Sequence, residues 1–290
     1  LEMADAYAGL GCLVTVVEAA TIAGTEDKEL ADGLRRVLAA RGVTILEGVR
    51  VQAAEPGPVL LLEDGRRVAG SHLLVAIGKR PDLRALELEA GGVRASRAGI
   101  ATDRGLRSLT NRCVFAVGDI ADPEGIGPRA FTHVGSYHAG IVIRRVVFRL
   151  PARIDYRALP RVIYTDPELA QVGLTEAEAR ASGRRVSVLR WPLAETDRAQ
   201  TERDLVGLVK LVVVDGRLAG VGILAAGAGE MITAWGLAIA RGVKLSALSA
   251  LIMPYPTRSE AAKRAVQSFY VPRLFSDRTK ALVRWLARLP

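Results

Sequence analysis

The 290-residue chain reads as an α/β fold followed by an α+β domain. Three observations carry that expectation. Through the first half, apolar β-branched runs alternate with helical patterns, as in βαβ units on a parallel sheet. From about Pro151 the strand-like runs come instead in antiparallel pairs joined by tight turns. Half of the residues are hydrophobic and 24% are charged, ordinary for globular protein, and the length suits two domains.

The opening LEMADAYAGLGCLVTVVE predicts a helix, a stop at Gly9 and Gly11, and a buried strand. Leu1, Ala4 and Ala8 suit close packing on a sheet. Residues 26–41 carry Leu30, Leu34, Val37 and Leu38 at helical spacing, with acids leading and arginine at the end, as the helix dipole favours. Arg41-Gly42 stops that helix, and VTIL starts another strand. Asp64-Gly65 marks a hairpin between two strand-like runs. LLVAIG, residues 73–78, predicts a buried strand ending in glycine. CVFAVGD, residues 113–119, predicts another, ending in Gly118-Asp119. GIGPRAFTHVGSYHAGIVIRRVVF then predicts a loop and a helix with Thr132 as its N-cap.

Beyond Pro151, RVIYTDPELAQVGLTEAEARA predicts a strand, a turn and a helix opened by the capping box of Thr175 and Glu178. RRVSVLRWPL, the Asp215-Gly216 hairpin and the helical GEMITAWGLAIARG complete the α+β pattern. The final KALVRWLARLP predicts a basic amphipathic helix. Docking on the protein's own surface or on a partner subunit is its expected use, with a membrane surface as the alternative.

Several classes fall away. No apolar run reaches the roughly 18–20 residues a bilayer span needs, and the best, LVVVDGRLAGVGILAAG, is broken by Asp215 and Arg217. Cys12 and Cys113 do not make a disulfide framework. They are expected as buried small side chains in a reducing cytoplasm. His72, His133 and His138 are scattered, so no metal site is expected. A net charge of +9 raises the question of nucleic acid. The basic residues, however, are spread along the chain with acids interleaved, and no aromatic-basic alternation marks a stacking surface. No nucleic-acid partner is expected. The chain opens on Leu1 within a motif, so its natural N-terminus is expected upstream.

Glu18 is the first candidate for chemistry. In a dinucleotide-binding βαβ unit, a glycine-rich turn precedes the first helix, and an acid about 20 residues on ends the second strand and bonds the ribose hydroxyls. Here the chain starts on that helix, which puts the glycines before residue 1. A carboxylate there repels a 2′-phosphate, so NAD is expected over NADP, although part of that pocket lies upstream. Gly118-Asp119 ends a strand where open α/β sheets bind ligands; a plain turn is the alternative. In MPYPTRSE, residues 253–260, two prolines stiffen the chain around Tyr255. A rigid turn and a side chain held for chemistry both fit that stretch.

Taken together, LGCLVTVVE, VAIGKRPD, CVFAVGDIAD, FTHVGSYHA, VIYTDPELAQVGLTEAEA, DLVGLVKLVV, GAGEMITAWGLAI and MPYPTRSEAAKRA resemble the flavin-dependent pyridine nucleotide–disulfide oxidoreductases. That family includes dihydrolipoamide dehydrogenase, glutathione reductase and mercuric reductase. The resemblance covers nearly the whole chain in the family's order, apart from the C-terminal tail. It implies a Rossmann-like NAD-binding portion over 1–80 and the returning segment of an FAD-binding domain over 81–150. It implies a dimerisation domain over 151–270, a tail over 271–290, the cofactors FAD and NAD, and a homodimer. By the same resemblance, Gly118-Asp119 would hold the FAD ribitol. The helix start at Thr132-His133 would approach the flavin pyrimidine edge. Glu2 would stand near the nicotinamide, and Gly78 would let the backbone approach the nucleotide.

The family passes hydride from the nicotinamide to flavin, then electrons to a disulfide on the other flavin face. In dihydrolipoamide dehydrogenase and glutathione reductase the thiol's base is a His-Pro histidine, with a Glu four residues after the Pro, serving the partner subunit's active site. Here Tyr255 stands in the histidine's place and Glu260 keeps the glutamate's. Mercuric reductases are similar at this spot, matching Pro254, Tyr255, Thr257, Glu260, Lys263, Gln267 and Phe269. Their C-terminal vicinal cysteines have no counterpart in RWLARLP. The family's Cys-x4-Cys pair and FAD phosphate turn belong to a region preceding residue 1. The expectation is therefore part of an FAD- and NAD(P)H-dependent oxidoreductase, inactive as this fragment alone. Its acceptor would be a disulfide, another small molecule or a metal ion. The alternatives are a non-catalytic dimerising remnant, or a disulfide reductase with a substituted base.

Overall fold

A computed structural model describes residues 1–289. The chain divides into two compact units, Leu1–Leu73 with Arg157–Pro290, and Leu74–Tyr156. Among the described residues no helix is long and apolar enough to cross a membrane.

The first unit opens with helix α1 (Glu2–Gly9), strand β1 (Thr15–Glu18), helix α2 (Lys28–Ala40) and strand β2 (Thr44–Glu47). β1 and β2 pair in parallel, from Thr15 with Thr44 to Glu18 with Glu47. Helix α2 is the crossover such a pair requires. Its N-cap is Asp27, which accepts the Glu29 N–H at 3.1 Å. Leu30, Leu34 and Leu38 are fully buried, as their spacing predicts. β3 (Val51–Glu55), β4 (Val59–Leu62) and β5 (Arg67–Ala69) form an antiparallel sheet. Its second turn falls at Asp64-Gly65, where Gly65 takes a φ of +84°.

The second unit holds β6 (Ala95–Ser96), β7 (Gly99–Thr102), β8 (Ala121–Pro123) and helix α3 (Thr132–Val146). Ile100, Leu106, Ala116, Ala121 and Ile141 form its core. Several expectations fail in this part of the chain. LLVAIG is not a strand: Val75 is 67% exposed and Ile77 94%. Among the described residues no strand pairs with it, and an apolar run without a ladder or a covering layer has nothing to bury it. CVFAVGD is extended but makes a single bridge, Phe115 with Arg107, and only Ala116 is fully buried. Cys12 and Cys113 are exposed, not buried. Cys12 lies in the loop between α1 and β1 and Cys113 in a turn, where the backbone runs at the surface whatever the side chain's size. Thr132 is the first residue of α3 and not its cap. Phe131 occupies the cap position, and no side chain caps the helix.

The first unit resumes with β9 (Pro160–Ile163), β10 (Glu168–Gly173), α4 (Glu176–Ala181), β11 (Val186–Pro192), α5 (Asp197–Glu202), β12 (Leu208–Val214) and β13 (Arg217–Ala225). Helices α6 (Ala228–Ala240), α7 (Leu245–Ser249), α8 (Glu260–Ser268), α9 (Val271–Leu274) and α10 (Asp277–Leu286) follow. The strands form one antiparallel sheet in the order β11-β12-β13-β10-β9. Where one strand was expected before α4 there are two, β9 and β10, separated at Pro167, which has no N–H for a ladder. The hairpin at Asp215-Gly216 and both halves of the Thr175–Glu178 capping box are present. Val209, Leu211 and Val213 of β12 share a core with Val221 and Ile223 of β13, Ile232 and Trp235 of α6, and Ala261 and Ala265 of α8. Strand alternation turns Lys210 to the other face. There its buried Nζ meets Asp27 at 2.7 Å, Glu176 at 2.8 Å and Glu29 at 2.9 Å.

Candidate functional site

At the end of β1, Glu18 is half-buried, and its carboxylate accepts the N–H of Ala20 at 2.8 Å. Its register partner Glu47 has a different task. Glu47 binds Arg35 at 2.8 Å and the Ile22 N–H at 2.7 Å, and the Arg35 hydrogen bond holds its carboxyl below the usual range. Glu47 thus fixes α2 and the loop. Glu18 holds one short-range bond, and its carboxylate keeps acceptor capacity that suits the hydroxyls of a ribose. Glu2 opens α1 and accepts the Tyr164 N–H at 2.8 Å. One turn on, Asp5 accepts the Asp166 N–H at 2.8 Å and pairs with Arg41 at 2.7 Å. Two carboxylates therefore fasten α1 to the loop at 164–166.

In the second unit, Gly118-Asp119 lies in a single 3-10 turn, Gly118–Ile120. Gly118 takes a φ of +69°, and a Cβ there would stand 3.7 Å from the Cα of Gly135 on α3. Its N–H donates to Nδ1 of the fully buried His138 at 3.0 Å. His138 Nε2 lies 2.5 Å from the Tyr156 hydroxyl. Since Nδ1 accepts, the neutral ring carries its proton on Nε2, toward Tyr156. Burial lowers the His138 pKa and pushes Tyr156 up to about 12, so both stay uncharged. The turn is thereby pinned from behind. Asp119 binds Lys79 at 2.5 Å. One lysine does not exhaust a carboxylate's acceptor sites, so the group fits a hydroxyl-bearing ligand such as a ribitol chain. At the start of α3, Thr132 and His133 follow Phe131, whose ring stacks on His133 at 5.2 Å. Without a side-chain cap, the first-turn N–H groups there suit an anionic or electron-rich ligand edge. Gly78 takes a φ of +112°, and the space a side chain would enter is open.

In the first unit, the Tyr255 hydroxyl donates to Asp197 Oδ2 at 2.7 Å, while the residue is 68% exposed. The hydrogen bond to Asp197, and then its negative charge, raises the phenol's pKa above the ordinary tyrosine value. Tyr255 therefore keeps its proton at neutral pH. Glu260 opens α8 and accepts from Arg264 at 3.1 Å, and that guanidinium lies 6.0 Å from the Trp191 ring centroid.

The structure thus gathers Gly118 and Asp119 with Lys79 and His138, and it gives Tyr255 a partner in Asp197. Lys79, His138, Tyr156 and Asp197 were not singled out from the sequence. Lys79 follows Gly78 directly, so adjacency was an available signal. The Tyr255–Asp197 bond spans 58 residues, and no local pattern encodes it. Among the described residues no cluster of three or more His, Cys, Asp or Glu is placed to hold a metal ion.

The architecture is a parallel β-α-β portion with an acid at the strand end, then a Gly-Asp turn against a helix, then an antiparallel sheet with packed helices. Known proteins share it. Residues 1–144 match the pyridine nucleotide-disulphide oxidoreductase family, and residues 159–266 match its dimerisation domain. The chain belongs to the pyridine nucleotide–disulfide oxidoreductase family. It is 34% identical over 279 residues to a mercuric reductase of Streptomyces lividans, covering 93% of this chain and 57% of that protein. It is 32% identical over 282 residues to a dihydrolipoyl dehydrogenase of Geobacillus stearothermophilus, covering 92% and 57%. Among solved structures, the HOCl-induced flavoprotein disulfide reductase RclA from Escherichia coli superposes with a TM-score of 0.82 at 27% identity, covering 91% of this chain and 61% of that one. LpdA from Mycobacterium tuberculosis gives 0.83 at 27% identity, covering 92% and 59%. The chain spans less than two-thirds of the length of these relatives. The expected fold class and family are borne out, and the named relatives are oxidoreductases.

Proposed function

We propose that the chain supplies the nicotinamide-binding portion, the returning FAD-domain segment and the dimerisation domain of an NAD(P)H- and FAD-dependent oxidoreductase. The boundaries are those read from the sequence: 1–80, 81–150 and 151–270. What carries the proposal is the family match over 1–144 and 159–266 in one chain. Glu18 accepts from the adenosine ribose of NAD, with Glu2 near the nicotinamide and Gly78 allowing close backbone approach. Asp119, pinned through Gly118 by His138, holds the ribitol of FAD. Bound FAD supplies the two-electron relay between nicotinamide and acceptor. The α3 start at Thr132-His133 favours electron density on the flavin pyrimidine edge. The compartment is the cytoplasm.

In this proposal Tyr255 and Glu260 face the partner subunit's redox centre in a homodimer, in the manner of a mercuric reductase. Tyr255 holds its proton and does not act as a base. Its single O–H rests on Asp197 and turns from that carboxylate to donate to a leaving thiolate or to a bound acceptor. The acceptor is a disulfide, a related small molecule or a metal ion. Glu260 at the head of α8, together with the dihydrolipoyl dehydrogenase relatives, favours a second reading: a disulfide reductase with a substituted base.

The test uses the protein extended to the length of its relatives. It should be a yellow dimer that bleaches with NADH. Tyr255→Phe should lower acceptor turnover by about 100-fold or more and leave flavin reduction by NADH unchanged. A folded dimer without flavin refutes the proposal. Lipoamide turnover that rises in Tyr255→His supports the second reading.

A further inference from the structure

Residues 267–289 lie beyond both family matches. There the short α9 leads into α10, whose N-cap Ser276 accepts the Thr279 N–H at 3.3 Å. With about 3.6 residues per turn, Lys280 and Arg284 line one face of this helix, and Arg288 follows just past its end. Leu282, Trp285 and Leu286 line the opposite face. A helix so divided in a globular protein turns its apolar side to the core. This one does not. No residue of α10 is buried, and Trp285 is 56% exposed. Leu282, Val283, Leu286 and Leu289 stand out of the protein to a similar extent, as do Leu274 and Phe275 just before them. The expected docking on the protein's own surface is therefore not made by the described residues.

Charge indicates what covers this face. Residues 271–289 carry Arg273, Arg278, Lys280, Arg284 and Arg288 against the single acid Asp277. A second copy of the same segment would set five cations against five. An anionic bilayer surface complements both properties at once. The apolar face enters the boundary between headgroups and acyl chains while the flanking cations meet lipid phosphates. Arg278 falls on the apolar side near the helix start, where a long stem lies along apolar surface and the guanidinium reaches outward. Ten residues are far too few to span a bilayer, which leaves the helix in the plane of the surface.

We propose that α9–α10 docks the protein on an anionic lipid surface as a peripheral attachment. The test is flotation of the full chain with vesicles of phosphatidylcholine, alone or mixed with phosphatidylglycerol. The chain should float with the anionic vesicles, not with the neutral ones, and release as added salt shortens the screening length. Lys280→Glu with Arg284→Glu should cut the bound fraction by about tenfold or more. Leu282→Ser with Leu286→Ser should abolish binding. Trp285 emission should shift to the blue on binding, and the shift should vanish in Trp285→Phe. Because α10 buries nothing, these variants should melt like the parent. Three results overturn the proposal: no flotation with anionic vesicles at low salt, equal flotation of parent and variants, or a tail-dependent dimer without vesicle binding, which assigns the face to a second copy.

Discussion

In the five-stranded sheet, β12 lies between β11 and β13, and Val209, Leu211 and Val213 are buried in a core shared with α6 and α8. Along residues 73–78, Leu74, Val75 and Ile77 stand in solvent, and no described strand runs beside them. As amino-acid strings the two stretches are alike, short and rich in valine, leucine and isoleucine. The difference lies in their neighbours. A strand has no hydrogen-bonded partner within itself, so its burial belongs to whatever pairs with it and covers it. An apolar β-branched run is thus not a sufficient sign of a buried strand.

The contrast can be pressed hardest at Lys210, the buried charge inside the well-covered sheet. Lys210→Ala leaves the buried Asp27 without its cation, while Glu29 keeps Arg190 and Glu176 keeps Arg180 and Arg190, and should cost about 3–5 kcal/mol in denaturant unfolding. The pH dependence follows from the same cluster. Burial works to lower the Lys210 pKa, but the hydrogen bonds it donates to Asp27, Glu176 and Glu29 outweigh it and the net shift is upward. Its contribution is complete below the unfolded value of 10.5 and is lost as pH rises through the higher folded value. The Lys210 hydrogen bond holds Glu176 below its ordinary 4.5, so that contribution is present above 4.5 and lost as pH falls through the folded value. Thermal melts should weaken at both ends of the pH range, and Lys210→Ala should flatten the alkaline end.

Next in size is Leu211→Ala in the same strand, with an expected loss of about 2–5 kcal/mol from transfer and cavity terms together. An effect near zero would break the claim that β12 is a packed strand. His138 tests the second unit. Its pKa is lowered by burial, so its contribution is present above the unfolded value of 6.5 and is lost as pH falls below it. Protonation would also set an imidazolium N–H against the Gly118 N–H. His138→Ala should cost about 1–3 kcal/mol and speed exchange of the Gly118 amide. The smallest effect belongs to the uncovered stretch: Val75→Ser should change stability by no more than about 0.5 kcal/mol. A loss of several kcal/mol would mean that residues 73–78 are buried in solution and would erase the contrast.

Several features were legible because their physics closes within a few residues. The leucine spacing of α2, the Thr175–Glu178 box and the turns at Asp64-Gly65 and Asp215-Gly216 each rest on contacts between near neighbours in the chain. Motif order was enough to name the family. Thr132 was misread because the cap is set by where the backbone enters the helix, and residue type alone does not locate that point. Cys12 and Cys113 were misread because burial depends on what packs around a connecting segment.

The amino-acid sequence by itself determined the fold class and the family, since each is a matter of residue identity, order and local period. Only the tertiary structure decided which apolar runs are covered, that the Tyr255 hydroxyl donates to Asp197, that His138 pins Gly118, and that α10 is left facing outward. Those facts depend on groups brought together from distant parts of the chain, and a sequence pattern carries no record of such distances.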